Sequence, residues 1–295
     1  MPLEDLITQF CRYCSLEENL APSTVRAIKI ALTALKKRTG IKNLQELTLD
    51  VLREFFYEGK EKHHWSTSST LNYRKYLKKF FNWCIDKKYT KENPILQIKA
   101  PKRSKKLPKV LTRIEAKEVL CASFTYDWFY TFEQWRNYAI IAILLYTGIR
   151  AEELLDLRVP DVNLSSERIF IRAGKGDKQR YVPIHRKLKN ILNSYDKERK
   201  RLKKTSEYFF TGVRSNKPFG YKHLSLVCKK LSKHTGIKFT PHVLRHTAAT
   251  EMLNQGIDIY KVSKILGHSD IKTTTIYLHV ATENLQKSLN AVEMY

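Results

Sequence analysis

The chain has 295 residues, 42% of them hydrophobic, and is therefore long enough for two domains with separate cores. Its 54 basic and 29 acidic residues give a net charge of +25, which favours a polyanionic partner, above all nucleic acid. No segment approaches the roughly 18 apolar residues that a membrane span needs, and no secretory signal begins the chain, so we expect a soluble, cytoplasmic protein that does not act in a membrane.

The cysteines predict neither a disulfide framework nor a metal site. Their number is odd and their spacing irregular, so reduced thiols are the simplest expectation. Cys11 and Cys14 form an isolated CxxC in a segment with helical spacing, and no second Cys or His pair follows at zinc-finger spacing. The full set is Cys11, Cys14, Cys84, Cys121 and Cys228.

Residues 1–98 predict a domain of about four helices. Apolar residues at helical spacing open the chain, and Ser23 is expected to cap a helix over Thr24–Lys37 that Gly40 ends. Further helices are predicted over residues 49–57 and 68–87. Residues 1–108 carry 22 basic and 11 acidic groups, a net +11. We therefore expect this helical domain to bind DNA.

Two groups of basic residues are the candidate DNA contacts outside the second domain. One group lies between the apolar positions of the fourth helix, on the face that we expect to meet water or phosphate. The other lies in residues 99–108, KAPKRSKKLP, where two prolines and few apolar residues predict an inter-domain linker. The candidates are Arg74, Lys75, Lys78 and Lys79 in the helix, and Lys102, Arg103, Lys105 and Lys106 in the linker.

Residues 109–295 predict a mainly helical second domain with one small antiparallel sheet. Thr112 is expected to start a helix toward Ala122, and a second helix over Glu133–Tyr146 is apolar almost throughout and must be central. Two alternating segments, 168–172 and 180–184, flank the turn residues GKGD and predict a β-hairpin with Lys175 at its tip. The fold class is therefore mainly α with a small antiparallel β-sheet, α+β in the second domain.

The remaining elements are predicted to be helices. Thr240 caps a helix that has Pro241 at its first position and that carries HVLRH in its first turns. The other helical ranges are 186–203, 222–234, 259–266 and 271–277, followed by a C-terminal helix over 282–294.

Five short motifs in the second domain supply candidate groups for transferring a phosphodiester. They are TGIRAEEL at 147–154, AGKGDKQR at 173–180, HVLRH at 242–246, LGH at 266–268 and TTTIYLH around Tyr277. Such a transfer needs cationic donors on the non-bridging oxygens, a nucleophile, a proton acceptor and a proton donor. The candidate catalytic residues are Arg150, Lys175, His242, Arg245, His268 and Tyr277.

Each residue type suits one part of this chemistry. The planar forks of Arg150 and Arg245 can bind phosphate oxygens, and Glu153, three residues after Arg150, could fix its guanidinium. A phenol with a pKa near 10 is a poor nucleophile at neutral pH, so Tyr277 needs nearby cations and a proton acceptor.

We expect His242 to accept the proton of Tyr277, Lys175 to protonate the leaving 5′-oxygen, and His268 to direct an imidazole N–H at the phosphate. His246 is expected to support the site by packing or by holding another site residue, and not to take part in the chemistry. No cofactor and no divalent ion are required, and the basic motif positions argue against a metal-dependent nuclease with paired carboxylates.

Taken together, these motifs resemble the tyrosine recombinase (phage integrase) family over nearly the whole second domain, in TGIRAEEL, GKGDKQRYVPI, HVLRHTAAT and LGHSDIKTTTIYLHV. The first domain is more loosely similar to the helical, SAM-like core-binding domain of that family through APSTVRAIKIAL and STLNYRKYLKKFFNWC. The family pattern of Arg, Lys, His-x-x-Arg, His or Trp, and Tyr falls on the six candidate residues with none missing.

The resemblance implies a site-specific recombinase that cleaves and rejoins double-stranded DNA through a 3′-phosphotyrosine and a Holliday junction. It further implies a clamp of two domains around the duplex and a homotetramer on two synapsed sites, alone or with a paralogue. The compact, Xer-like build is compatible with chromosome dimer resolution and with integration or excision of a mobile element. The helix over 282–294 could dock on a neighbouring protomer or on its own domain.

Two other functions are compatible with parts of this pattern. A type IB topoisomerase uses a similar set of Arg, Lys, His and Tyr to nick and reseal DNA, although the compact GKGDKQR hairpin and LGH favour a recombinase. A DNA-binding regulator without catalysis could retain the fold, but a binder needs no tyrosine at position 277.

Overall fold

The computed structural model describes residues 2–102, 107–172, 179–268 and 270–278. The chain divides into two compact units, Met1–Lys105 and Lys106–Tyr295. Each unit has a hydrophobic core of its own. In the described part of the chain, no helix is both long and apolar enough to cross a membrane.

The first unit contains the four helices that the sequence predicts. They are α1 (Leu3–Leu16), α2 (Pro22–Thr39), α3 (Leu49–Glu61) and α4 (Thr67–Asp86), with short 3-10 turns at Leu44–Glu46 and Pro94–Gln97. Thr48 and Ser66 cap α3 and α4 by accepting backbone N–H groups. The predicted Ser23 cap is wrong, because α2 begins earlier, with Ala21 in the cap position and Pro22 as its first residue. Proline suits that position since its missing N–H has no helical partner there.

The core of the first unit is aromatic. The ring of Phe10 packs against those of Phe80 and Trp83, with centroids 5.4 and 5.3 Å away. Leu77 and Phe80 are fully buried on the apolar stripe of α4. The basic residues between these positions therefore lie away from the core.

The second unit is mainly helical and holds one small sheet. Its elements are α5 (Arg113–Thr125), α6 (Thr131–Thr147), α7 (Ala151–Leu155), β1 (Val162–Asn163), β2 (Arg168–Ile171), β3 (Arg180–Pro183), α8 (Arg186–Arg201), α9 (Tyr221–Thr235), α10 (Pro241–Asn254), α11 (Ile259–Leu266) and α12 (Lys272–Thr275).

Helix α6 forms the centre of this unit, as its apolar sequence predicts. Ala139 to Leu144 are fully buried, and the helix packs against α5, α8 and α10. It ends at Gly148, whose φ of 63° is in the left-handed region that favours glycine. Helix α10 begins as predicted, with Pro241 first and the Thr240 side chain accepting the N–H of Val243.

The sheet is antiparallel in the order β1-β2-β3. Its register pairs Val162 with Ile169, Ile169 with Val182, and Ile171 with Arg180. The predicted hairpin is therefore confirmed, and β1 adds a third strand of only two residues.

Some predicted features fall elsewhere or outside the described residues. The helix expected over 271–277 spans only Lys272–Thr275, and the five-residue helix α7 was not predicted. Lys175 at the predicted hairpin tip and the predicted helix over 282–294 lie outside the described residues.

Candidate active site

Arg245 is buried at the centre of the candidate site. It lies in the first turns of α10 and is 3% exposed. One terminal nitrogen, Nη1, donates to the carbonyl of Gly148 at 2.7 Å. The other, Nη2, donates to the carbonyl of Leu266 at 2.9 Å and to Nε2 of His268 at 2.9 Å. Burial lowers the pKa of Arg245 to about 10, with a further contribution from the charge of Arg150, so the guanidinium stays protonated at neutral pH.

Arg150 is the more accessible arginine, with 27% of its side chain exposed. It precedes the first residue of α7, which allows its backbone N–H to donate to Oε2 of Glu153 at 2.9 Å. The guanidinium donates to Oε1 of Glu153 at 2.8 Å and to the carbonyl of Gly267 at 3.1 Å. Arg150 and Arg245 are therefore anchored on adjacent carbonyls, those of Gly267 and Leu266.

Glu153 is a buried carboxylate shared by two arginines. Besides Arg150 it binds Arg180 of β3, through Nη1 to Oε1 at 3.0 Å and Nη2 to Oε2 at 2.8 Å. Burial alone would raise the pKa of Glu153, but hydrogen bonds from Arg180 and Arg150 outweigh it, and the pKa lies below its ordinary value. Glu153 is therefore ionised and holds both guanidiniums.

His268 is fixed as one neutral tautomer by its neighbours. A guanidinium can only donate, so Nε2 of His268 must accept from Arg245. The ring proton is then on Nδ1, which donates to the hydroxyl of Thr274 at 2.7 Å. Burial, followed by the charges of Arg245 and Arg150, lowers the pKa of His268 to about 4. The ring nitrogens are thus both engaged within the protein, and neither points freely at a phosphate as the sequence led us to expect.

Tyr277 is 2% exposed and its hydroxyl lies 2.8 Å from Nδ1 of His246. Burial raises the pKa of the phenol, and the charges of Arg245 and Arg150 offset only part of that effect. Burial, followed by the charges of His242 and Arg245, lowers the pKa of His246 to about 4, so this imidazole is neutral at pH 7. In the tautomer with its ring proton on Nε2, the neutral imidazole offers the lone pair of Nδ1 to the phenol proton. The hydroxyl must become accessible before it can reach a phosphate.

His242 lies next to this pair but is more exposed. Its ring centroid is 4.8 Å from that of His246, and among the described residues its side chain makes no hydrogen bond. Burial, followed by the charges of Arg245 and Arg150, lowers the pKa of His242. The structure therefore pairs the Tyr277 hydroxyl with His246, which was expected only to support the site, and not with His242.

The site thus brings together five of the six candidate catalytic residues, Arg150, His242, Arg245, His268 and Tyr277, with Glu153 and His246 around them. The sixth, Lys175, lies outside the described residues. Within those residues no group of three or more His, Cys, Asp or Glu side chains could hold a metal ion.

The candidate DNA contacts are not equally free. Lys75, Lys78 and Lys102 are exposed. Arg74 is half-buried and donates Nε to the carbonyl of Ile98 at 2.9 Å, while Lys79 pairs with Glu18. Arg103, Lys105 and Lys106 lie outside the described residues.

Arg180 and Thr274 were not predicted to belong to the site. Arg180 had a detectable signal, because it has the same phase as the apolar residues Val182 and Ile184 in an alternating strand, where a charge needs a partner. Thr274 had none, since its contact with His268 depends on how the chain returns after α11.

Comparisons with known proteins cover nearly the whole chain. Residues 109–284 match the phage integrase family, and residues 7–88 match the N-terminal SAM-like domain of phage integrases. The tyrosine recombinase XerC of Bacillus licheniformis is 30% identical over 97% of this chain and 95% of its own length.

Solved structures agree with this assignment. The crystal structure of XerA recombinase is 28% identical, with a TM-score of 0.56 over 98% of this chain and 99% of that chain. The complex of XerH site-specific recombinase with palindromic difH substrate is 23% identical and shares the fold, with a TM-score of 0.73 over 97% of this chain and 83% of that chain.

These matches are to recombinases and integrases, so neither a type IB topoisomerase nor a regulator without catalysis is needed to explain the site. The chain belongs to the phage integrase family and is a tyrosine-type, Xer-like site-specific recombinase, an enzyme that binds DNA and transfers its strands.

Proposed function

We propose that Tyr277 cleaves one DNA strand by attacking the phosphorus of the scissile phosphodiester. A bond forms between the phenol oxygen and phosphorus, the bond to the 5′-oxygen breaks, and the product is a 3′-phosphotyrosine with a free 5′-hydroxyl. A 5′-hydroxyl from the partner strand reverses the step, so rejoining needs no ATP.

The observation that supports this proposal is that two anchored guanidiniums lie beside a tyrosine whose hydroxyl is hydrogen-bonded to a neutral imidazole. Arg150 and Arg245 supply donors for the non-bridging oxygens, where negative charge develops. His246 accepts the phenol proton of Tyr277, to which it is already hydrogen-bonded. His242 and His268 lie beside these groups as neutral imidazoles, and Lys175 protonates the leaving 5′-oxygen.

The substrate in this proposal is a pair of specific double-stranded DNA sites. Four protomers, of this chain alone or of this chain and a paralogue, bring the two sites together in the cytoplasm and exchange strands through a Holliday junction. The biological outcome is resolution of chromosome dimers or integration and excision of a mobile element.

The division of labour along the chain follows the sequence prediction. Residues 1–98 bind DNA with Lys75 and Lys78 exposed for phosphate contact. Residues 99–108 link this domain to the catalytic domain, 109–295, whose last helix, 282–294, docks on a neighbouring protomer or on its own domain.

A covalent-trap experiment tests the cleavage step. Sites that the protein binds are selected from genomic DNA and rebuilt as nicked suicide duplexes. Cleavage of such a duplex releases a short fragment that carries the 5′-hydroxyl, and its loss prevents rejoining. We expect wild-type protein to form a protein–DNA adduct stable to denaturation, and Tyr277→Phe to form none.

Tyr195→Phe is the matched control. Tyr195 is also buried, and its substitution removes one hydrogen bond, to the carbonyl of Phe209. Tyr195 contacts none of the described site residues. Its adduct should form at the wild-type rate. An adduct with Tyr277→Phe, or none with wild-type protein on any enriched site, would contradict the proposal.

A further inference from the structure

Arg180 lies where an apolar side chain is expected. It is the first residue of β3, it pairs with Ile171, and it shares the inward face of the sheet with Val182. Ile171 and Val182 are buried, and the Arg180 side chain is only 10% exposed. A guanidinium in such surroundings is stable only when its donors have partners.

The partners of Arg180 join three elements of the fold. Its two terminal nitrogens bind both oxygens of Glu153 on α7, and its Nε donates to the carbonyl of Ile265 on α11 at 2.8 Å. The guanidinium also lies directly against Gly267, since a Cβ placed there would be 2.6 Å from Nη1. One side chain thus fixes β3, α7 and the end of α11 relative to one another.

Two of the residues that Arg180 contacts, Glu153 and Gly267, also hold Arg150. Glu153 accepts the Nη1 of Arg150, and the carbonyl of Gly267 accepts its Nη2. Within the described residues, every hydrogen bond of the Arg150 side chain therefore ends on a residue that Arg180 contacts. Without Arg180, Arg150 would be the only cation bound to the buried Glu153 among the described residues, and Glu153 would draw that guanidinium away from a phosphate.

We propose that Arg180 is a positioning residue for strand cleavage: it fixes Glu153 and Gly267, and through them the Arg150 guanidinium that binds a non-bridging phosphate oxygen. This inference rests on the proposed role of Arg150. We do not expect Arg180 itself to touch the DNA, because each of its three guanidinium nitrogens already donates to a group within the protein.

The test compares two suicide duplexes of the selected site. One has the normal scissile phosphodiester, and the other has a methylphosphonate, in which an uncharged methyl group replaces one non-bridging oxygen. Neutralising charge at the phosphate matters less for the second substrate.

The variants are Arg180→Met, Arg150→Met and, as the matched control, Arg199→Met. Arg199 is 4% exposed and donates to the carbonyls of Tyr208 and Phe209, and it makes no hydrogen bond to the described residues of the site.

On the phosphodiester, we expect Arg180→Met to slow single-turnover adduct formation about 10- to 100-fold, the range for losing one well-placed charged hydrogen bond, with DNA affinity unchanged. On the methylphosphonate, its rate should lie within a few-fold of wild type, as should that of Arg150→Met. Arg199→Met should show the same ratio to wild type on both substrates.

Equal ratios for Arg180→Met on both substrates would overturn the inference and leave Arg180 a purely structural residue. If the rate loss of Arg150→Met is also the same on both substrates, the phosphate role proposed for Arg150 falls as well. If Arg150→Met loses less rate on the methylphosphonate and Arg180→Met does not, only the role of Arg180 falls. Arg180→Lys keeps the charge but lacks the fork that binds both oxygens of Glu153. Should the methionine variant fail to fold, the lysine variant must lose less rate on the methylphosphonate than on the phosphodiester. Equal losses of the lysine variant on both substrates would refute the inference.

Discussion

The contact between Tyr277 and His246 leads to a prediction that distinguishes two possible proton acceptors. The hydroxyl of Tyr277 lies 2.8 Å from Nδ1 of His246, and asparagine can place an amide oxygen near the position of that nitrogen. His246→Asn therefore keeps a hydrogen-bond acceptor but removes the basic lone pair. His242→Asn is the matched control, because His242 contacts the ring of His246 and carried the acceptor role in the sequence prediction.

The expected size of the effect follows from the pKa values. The pKa of His246 is about 4, so its lone pair is available at all pH values above about 5 and the wild-type cleavage rate should be flat from about pH 6 to 8. The pKa of Tyr277 is raised above its ordinary value near 10, so less than about one molecule in 10³ is a phenolate at pH 7. His246→Asn should therefore cleave about 10²- to 10³-fold more slowly at pH 7, and its rate should rise about tenfold per pH unit.

Single-turnover adduct formation on the suicide duplex, with protein above its dissociation constant, measures these rates from pH 6 to 9. His242→Asn should lose less activity and keep the flat profile. A flat profile at near wild-type rate for His246→Asn would refute the reasoning, and so would a steep profile that belongs to His242→Asn instead.

Two further predictions concern stability. Gly148→Ala should lower the free energy of unfolding by about 2–4 kcal/mol, because its φ is 63° and the new Cβ would lie 2.7 Å from Cδ2 of Leu266. The control Gly236→Ala has a φ of 73° and open space, so about 1 kcal/mol is expected, and equal losses in urea titrations would contradict the packing argument. Because the pKa values of His246 and His268 are lowered in the folded protein, their neutral rings contribute fully to the free energy of unfolding above pH 6.5. This contribution is lost as the pH falls toward 4. The slope is at most about 1.4 kcal/mol per pH unit for each ring, less after solvent screening. The variant with both histidines changed to glutamine should lose this slope, and an unchanged slope would argue against the two histidines as its source.

The elements that could be predicted from the sequence are those with local causes. Thr240 and Pro241 define the start of α10 through a cap and a fixed φ, and the apolar run of α6 can only be central. The hairpin follows from two alternating segments around turn residues. In contrast, α7 is too short for a periodic pattern, and β1 exists only because it pairs with β2.

The candidate site was predictable in its residues and less so in its contacts. The order of the motifs identifies Arg150, Arg245 and Tyr277, because few other reactions need that combination. Which histidine meets Tyr277 depends on how the residues after α12 return to α10, since the two partners are 31 positions apart. Two histidines one turn apart on the same face of a helix cannot be distinguished from spacing alone.

The glycines of TGIR and LGH have a physical role beside the arginines. Gly148 and Gly267 end α6 and α11 in the left-handed conformation, where the last carbonyls of a helix lack intrahelical partners and carry its negative dipole end. Arg245 donates to the carbonyls of Gly148 and Leu266, and Arg150 donates to that of Gly267.

Backbone carbonyls hold these guanidiniums without cancelling their formal charge, as carboxylates would. The described site holds the three guanidiniums of Arg150, Arg180 and Arg245 and one carboxylate, Glu153, which binds the first two. With neutral histidines its formal charge is therefore +2. A phosphodiester carries one negative charge, and more develops on its oxygens during transfer. The two helix ends therefore allow the arginines to be rigidly placed while the site keeps a net positive charge, and this combination is what a preorganised phosphate site requires.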